Sequence, residues 1–423
     1  GSQPGMTARQ HQSDAGRQPC LVSRWLRFLL IVAVTLPLAW FAGSQAAGMA
    51  LTRFSPEIAV KAAPGNGEAL ARLAELKLAS AVQEADSNEL PLSLAEPLWH
   101  EARKAFLQAP LAARAIRIAA LSREATGDEQ LARYLMLGVV ELTKRDLGTH
   151  LWLIHDYGKS GDLTNLLNHY DFALRTSNQA ASILLPRLTL VLKAPGTVEV
   201  LVPVLAQQPP WAQQFWRTTY VNPETLPQAA KLRLALLERN IPVPDDVDRR
   251  LILSLARDRE WDAAANLYGR VAGDDAPALD RVGEADFSRV PQLAPIEWNF
   301  PSSGLQSGEI APETRRMILS GGPASSGVAA MRVVALEPGR YELHLEREEA
   351  ETSNSPTLAV EIVCVDEVPQ RRIARFREEG STIHGFFEAD ASCSYYALQV
   401  HLQVPRNSIS GQVILEEMAL RPA

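Results

Sequence analysis

The sequence has few cysteines and no excess of positive charge. Three cysteines, Cys20, Cys364 and Cys393, occur in 423 residues, which is too few for a disulfide-dense small domain or a zinc ribbon. Acidic residues (49) outnumber basic ones (42), so the net charge is −7 and the pI is about 5.7. A nucleic-acid-binding surface needs a basic face that displaces the counterions of the phosphates. We therefore predict no nucleic-acid partner.

The sequence also lacks the short motifs of common catalytic sites. It contains no P-loop, no GxSxG nucleophile elbow and no dinucleotide-binding GxGxxG. His100 starts an HE pair without the second histidine of a zinc protease, and His150 and His155 do not have the i,i+4 spacing of paired ligands on one helix face. Ordinary helix packing explains the triplet at 169–171. We predict no catalytic residue, no metal site and no cofactor.

Hydrophobic residues make up 46% of the chain and charged residues 22%, a globular balance, and the length suits two or three domains. One segment concentrates the apolar residues: 28–52 carries no charge, and about 20 residues suffice to cross a hydrocarbon core. By the positive-inside rule the residues before it, 1–27, form a cytoplasmic tail and the rest is translocated. The tail has one acid, Asp14, before the span and four basic residues: Arg9, Arg17, Arg24 and Arg27.

A cleaved signal peptide is an alternative explanation of this segment, with small residues at Ser44 and Ala46 and cleavage after Ala46. The uncharged run continues beyond its most apolar part, 28–42, which favours an uncleaved anchor. In both cases the bulk of the chain lies outside the cytoplasm. We predict a single-pass protein that contacts the lipid bilayer through 28–52, with the residues after the span translocated.

The middle of the chain has the pattern of a helical array. We predict a linker over 53–66 and helices of roughly 10 to 18 residues over 67–272, where alanine and leucine dominate between glycine and proline breaks. Gly127 and Gly161, each followed by aspartate, are 34 residues apart, and Gly196 follows 35 later. A period near 34 is that of the tetratricopeptide helix–turn–helix unit, in which glycine relaxes the turn and aspartate caps the next helix.

This region resembles degenerate tetratricopeptide repeats. It is further similar to membrane-anchored repeat proteins of alphaproteobacteria that accompany exopolysaccharide assembly. The phrases that carry the second resemblance are QAPLAARAIRIAALSREATGD, LWLIHDYGKSGDLTNLLNHYDFAL and QQPPWAQQFW. The resemblance implies an interaction scaffold, an α-solenoid, rather than an enzyme. It also implies a location in a bacterial inner membrane, with the residues after the span in the periplasm. The implied partners are membrane or periplasmic proteins of an envelope complex.

The C-terminal part changes to a period of two. After a predicted linker at 273–294, apolar and polar residues alternate over 295–423, with turn signals between the runs. Eight or nine short strands in this length predict an antiparallel β-sandwich of jelly-roll type. We expect the closing strand, near 412–421, to lie beside a first strand near 296–300. The phrase LEPGRYELHLE resembles a strand entry of carbohydrate-binding-module-like sandwiches.

Cys364 and Cys393 predict a disulfide bond. Both lie in the part that we expect to be translocated, where an oxidising compartment joins such pairs. Cys364 falls on the apolar face of its strand, whereas Cys393 is out of phase with the strand that follows it, so a bulge or a position before the strand is required. Two buried free thiols are the alternative.

Two features of the β-rich part suggest ligand contacts. Trp298, at its start, is a candidate for stacking on a sugar ring, and packing in the core is the alternative. A basic run forms either an exposed strand face or a patch for an anionic glycan; its members are Arg371, Arg372, Arg375 and Arg377.

The sequence thus predicts a non-enzymatic scaffold of an envelope assembly, of the kind that makes or exports polysaccharide. A glycan-binding protein that acts through the β-sandwich is the second hypothesis. The third, an enzyme, would need a pair of carboxylates facing each other across a cleft.

Overall fold

The computed structural model describes residues 21–84, 90–301, 305–349, 355–408 and 411–423. Most of the predicted cytoplasmic tail 1–27, including Cys20, lies outside these residues. In the described ranges the α-helices are α1 (Leu21–Thr52), α2 (Pro56–Ala62), α3 (Gly67–Glu84), α4 (Leu92–Gln108), α5 (Ala113–Ala125), α6 (Glu129–Leu142), α7 (Leu147–Ser160), α8 (Leu163–Thr176), α9 (Asn178–Val191), α10 (Thr197–Leu205), α11 (Ala212–Thr219), α12 (Leu226–Glu238), α13 (Val247–Arg257) and α14 (Trp261–Val271).

In the part of the chain that the structure describes, nine antiparallel strands follow the helices and form two sheets. A first sheet has the order β1-β2-β9-β4-β7, and a second sheet has the order β3-β8-β5-β6. The strands are β1 (Gln306–Ala311), β2 (Arg316–Gly321), β3 (Ser326–Ala335), β4 (Gly339–Arg347), β5 (Thr357–Cys364), β6 (Arg371–Arg377), β7 (Thr382–Ala389), β8 (Tyr395–Gln403) and β9 (Gln412–Pro422). The predicted change from helices to strands is confirmed.

The chain divides into two compact units, 1–149 and 150–423. The second half of the helical region therefore belongs to the same unit as the strands, which differs from the predicted division near 272. Side-chain packing explains this: the ring of Trp261 on α14 stacks on Tyr395 of β8, and the Tyr395 hydroxyl donates to Asp262 Oδ1 at 2.9 Å. Burial of this aromatic contact joins α14 to the second sheet.

In the first unit, α1 contains the apolar segment. Residues 28–52 are long and apolar enough to cross a membrane, and the same properties suit a signal sequence near the N-terminus. The helix continues without interruption through Ala46, the alternative cleavage position. Near its end Gly48 is buried, and a Cβ there would lie 2.9 Å from Ala63 Cβ and 3.0 Å from Asn66 Nδ2. The missing side chain thus lets α1 pack closely on the connection between α2 and α3.

The predicted linker at 53–66 instead contains α2, which packs against α1. Beyond it, α3 to α6 form successive antiparallel neighbours, and α5 packs on both α3 and α4. Small buried alanines at the contacts, such as Ala74, Ala102 and Ala115, allow the helices to approach. The first unit is therefore a stack of helices that begins at the end of α1.

The periodic glycine turns form as the sequence predicts. Gly127 and Gly161 have φ of +87° and +72°, values that a residue without Cβ adopts without strain. The aspartates that follow cap the next helices: Asp128 accepts from Leu131 N and Asp162 from Asn165 N, each at 3.1 Å. These turns connect α5 to α6 and α7 to α8.

In the second unit, the predicted alternation places the apolar side chains inside. Leu343 on β4, Val360 on β5 and Leu398 on β8 are all 0% exposed. They belong to one buried cluster that takes residues from both sheets. Burial of this cluster supplies the main stabilisation of the β-rich part.

The predicted place of the closing strand is wrong. β9 lies between β2 and β4, not beside 296–300. That segment forms an isolated bridge in which Asn299 N donates to Met331 O at 2.7 Å and Met331 N donates to Asn299 O at 2.8 Å. The bridge links it to β3 in the second sheet, because the buried Ile296 and Trp298 hold it there.

The predicted linker at 273–294 packs against the strands. Val282 bridges to Leu420 of β9, and the buried Phe287 contacts the ring of Trp298. Arg332 of β3, 0% exposed, forms an ion pair with Asp286 and donates to the Ala278 and Ile296 carbonyls. A linker would need no such buried charge pair, and this segment is therefore part of the folded β region.

Candidate functional site

The α4–α6 groove is an apolar depression of the first unit. α4 and α6 form its walls and α5 its floor, and it encloses about 590 Å³. The walls carry Trp99 and Phe106 on α4 and Tyr134 and Leu137 on α6. On the floor are the small residues Ala115 and Ala119 together with Ile116. A cleft with large apolar walls and alanines on its floor suits an inserted apolar ligand or helix.

Several apolar groups of this groove face solvent. Tyr134 is 74% exposed, and Phe106 and Leu137 are 39% and 38% exposed. Gly138 lies beside them on α6, and a Cβ at that position would meet nothing within 4 Å. Trp99 is held in place by the Arg123 guanidinium, which lies 4.1 Å from its ring centroid. The groove is therefore preformed and open.

Arg103 and Glu141 bring charge to the rim of the groove, Arg103 from α4 and Glu141 from α6. Charges of opposite sign on the two walls can fix the direction of a bound segment. Nothing in the sequence pattern marked this site, because its residues come from three helices. The sequence shows aromatic residues within the predicted helices, but it does not show that they are exposed.

A second depression, the second-sheet pocket, lies on strands β3, β5, β6 and β8 and is polar. It encloses about 520 Å³. The register aligns Arg377 on β6, Ala359 on β5 and His401 on β8, so the small alanine lies between the guanidinium and the imidazole. The next row contains Thr357 and Gln403. The pocket thus combines a cation with neutral hydrogen-bonding groups.

The other charges around this pocket are balanced by neighbours. Arg347 pairs with Glu378, and both side chains are less than a tenth exposed. Arg375 lies 3.1 Å from Glu361 Oε1. Burial lowers the pKa of His401, with the Glu361 charge opposing the shift, so the imidazole is neutral at pH 7. Arg377 is exposed and supplies positive charge at the mouth of the pocket.

The predicted site residues have different outcomes. Cys364, the last residue of β5, and Cys393, just before β8, form the predicted disulfide bond with a Cα–Cα distance of 6.0 Å.

Trp298 is only 2% exposed. Its ring packs in the buried cluster of the two sheets, which is the arrangement of the packing alternative, and its faces are not available for stacking on a sugar.

The predicted basic run lies on β6, but its members do different things. Arg371 binds Glu367 and Asp390, while Arg372 and Arg375 approach Glu361. Arg375 and Arg377 both line the pocket; Arg375 is paired with Glu361, whereas Arg377 is exposed. Three of the four arginines thus form ion pairs, so the run is not a uniform cationic patch. It is also more than an exposed strand face.

Two groups of metal-ligand type come close together among the described residues. In the first, the sulfurs of Cys364 and Cys393 are joined to each other and cannot bind an ion as thiolates. The second, His344, Glu346 and Glu417, lies on neighbouring strands β4 and β9, where Glu417 is exposed. Exposed acidic groups of this kind do not define a metal site, and the absence of a metal stays a prediction.

A buried histidine pair was not predicted. His150 on α7 and His169 on α8 are 0% and 6% exposed, and their Nδ1 atoms are 3.0 Å apart. One ring donates and the other accepts, so the accepting ring is neutral and the two rings cannot both be protonated. Burial, assisted by His150, lowers the pKa of His169 from its usual 6.5 to about 4. His155 is exposed, so it does not join the pair.

We expect this pair to make stability depend on pH. The unfolded chain takes up a proton near pH 6.5 and the folded chain only near pH 4. The free energy of unfolding therefore falls as the pH decreases from about 6.5 to about 4. Above pH 6.5 the histidine pair does not change it. Denaturation of the full chain in detergent at a series of pH values measures the slope. His169→Asn should reduce it, and the control His100→Asn, whose side chain is 72% exposed, should not; an equal slope in both would contradict the assignment.

Comparison of the chain with protein-family models and with curated proteins found no match. We therefore base the proposed function on the geometry of the two depressions.

Proposed function

We propose that this protein is a non-enzymatic, membrane-anchored scaffold that binds an amphipathic helix of a partner protein in the α4–α6 groove. In this proposal α1 is the single span, residues 1–27 are cytoplasmic and the rest is periplasmic in a bacterial envelope. The partners are membrane or periplasmic proteins of an assembly that makes or exports polysaccharide. The open groove in the same unit as the membrane-length helix is the observation that carries the proposal.

The packing of the helices supports a tetratricopeptide-type α-solenoid. In such arrays the first helix of each hairpin packs on both helices of the preceding hairpin, as α5 does on α3 and α4. The glycine–aspartate turns recur at the same place in successive hairpins. Repeat arrays present extended surfaces to partner segments.

The shape and charge of the groove favour a helix as its occupant. A helix can approach a floor of alanines closely and place anchors at i, i+3 and i+4 between Trp99 and Tyr134. Arg103 on one wall and Glu141 on the other complement a segment with opposite charges on its two sides.

Photocrosslinking tests this function. We expect benzoylphenylalanine at position 134 to capture one protein in native membranes, and the cross-linked peptide to be an amphipathic helical segment. A synthetic copy of that segment should bind the purified full chain. Cross-links only to extended or uniformly polar peptides, or no binding of the copy, would contradict the proposal.

Glycan binding by the β-rich part is a second candidate, and the second-sheet pocket favours it. The shared buried cluster of the two sheets supports a β-sandwich, on whose surface this pocket lies. Arg377 with Thr357 and Gln403 suits a saccharide that carries a carboxylate and hydroxyls.

Titration calorimetry of the full chain in detergent with a uronic-acid trisaccharide tests this candidate. We expect binding that weakens at least about tenfold in Arg377→Ala, since a charge-assisted hydrogen bond contributes about 1.5–3 kcal/mol. Arg421→Ala, on the first sheet, is the control and should not change the affinity. Equal binding of a neutral trisaccharide would exclude recognition by charge.

A further inference from the structure

One end of the helix stack in the first unit lies at the level where α1 leaves the bilayer. About 20 residues at about 1.5 Å each cover a hydrocarbon core about 30 Å thick. A span that begins at Phe28 therefore reaches the far interface near Gly48. At this level Gly48 touches Ala63 and Asn66 in the connection between α2 and α3.

The connection between α4 and α5 lies at the same level. Gly67, next to Asn66, is so close to the end of α4 that a Cβ would lie 2.5 Å from Ala105 O and 2.6 Å from Ala109 Cβ. The contacts thus run from the end of the membrane helix through Gly67 to Ala109. The C-terminal end of α4 therefore lies nearer to the end of the membrane helix than its N-terminal end does.

Large apolar side chains are exposed at this end. Leu107, in the last turn of α4, is 66% exposed, and Leu111, in the following connection, is 80% exposed. Lys61 and Lys104 are exposed nearby. Exposed leucines beside lysines match the membrane interface, where apolar side chains enter the acyl boundary and cations meet anionic headgroups.

We propose that Leu107 and Leu111 insert into the interface of the bilayer that holds α1, so that the helix stack rests on the membrane surface. The lipid surface is the occupant because it continues the lipid contact of α1. This inference depends on the proposed membrane anchor. Two points of attachment, the span and the leucine pair, would fix the orientation of the first unit and of the α4–α6 groove relative to the membrane.

The two ends of α4 provide a matched test. Leu92, at its N-terminal end, is 68% exposed and lies about 22 Å from Leu107 along the helix, at about 1.5 Å per residue. Spin labels are placed on Leu107→Cys, Leu111→Cys and Leu92→Cys in the Cys20→Ser chain. Each labelled full chain is reconstituted into vesicles of phosphatidylcholine with phosphatidylglycerol.

Relaxation by oxygen, which concentrates in lipid, is then compared with relaxation by a polar nickel chelate. We expect an oxygen-to-nickel ratio several-fold higher at positions 107 and 111 than at position 92. Equal ratios in a chain that floats with the vesicles and resists alkaline extraction would overturn the leucine insertion but leave the anchor intact. Extraction of the chain by alkali would overturn the membrane anchor, and this inference with it.

Discussion

Asp286→Ala should lower the free energy of unfolding of the second unit by about 3–5 kcal/mol, because it leaves a buried guanidinium without its counter-charge. Arg332, its partner, is 0% exposed in the middle of β3. The arginine keeps its bonds to the Ala278 and Ile296 carbonyls, but these do not neutralise it. Loss of hydrogen-exchange protection in β3 and β8 of the full chain in detergent measures the effect.

Two control variants separate charge burial from a general sensitivity of this unit. The double variant Asp286→Leu and Arg332→Met removes both charges and should be much closer to the wild type than Asp286→Ala. Glu224→Ala removes one partner of an exposed ion pair, Lys193 with Glu224 at 2.8 Å, and should leave protection unchanged. If the double variant is as unstable as Asp286→Ala, the loss comes from packing of the segment and not from the charge.

Gly138→Trp should weaken binding of the partner helix by at least about a hundredfold. The position is open, with nothing within 4 Å of a Cβ, so the indole enters the α4–α6 groove and takes the place of the partner's side chains. Each excluded apolar anchor removes about 1.5–3 kcal/mol of burial, and about 1.4 kcal/mol corresponds to a tenfold change in affinity. Fluorescence titration of the full chain with the cross-linked peptide segment measures the affinity.

Gly269→Trp is the matched control for this prediction. Gly269 is also an exposed helical glycine with no atom near a Cβ, but it lies on α14 and does not line the groove. Both variants replace a glycine in a helix and should not destabilise their helices. Unchanged peptide binding in Gly138→Trp would place the partner elsewhere on the protein.

Local patterns predicted much of the architecture. The uncharged run of α1, the glycine–aspartate turns at Gly127 and Gly161 and the alternation on β4, β5 and β8 each depend on neighbours in sequence. The same alternation required either a bulge or a position before the strand for Cys393, and the structure has the second. The helix α2 was missed because seven residues between Pro56 and Ala62 give too short a pattern to distinguish a helix from a linker.

The sites were much less predictable. An indole ring can stack on a sugar, which made Trp298 a candidate contact. Its exposure, however, depends on the packing of the 273–300 segment over β3 and β9. The pairing of His150 with His169 requires α7 and α8 to fold back on each other, and Arg332 with Asp286 requires a segment far from β3 to return to it.

Sequence patterns predict the elements of this protein: an apolar helix of membrane length, an array of short helices, a set of alternating strands and a pair of cysteines that can join. These elements follow from periodicity, turn residues and charge, which act over a few residues. The exposure of each side chain and the side chains that it contacts depend on how distant elements pack. The open groove beside Gly138, the cation at Arg377 and the leucines at the level of Gly48 arise from contacts between distant elements, and burial and charge pairing are properties of those contacts.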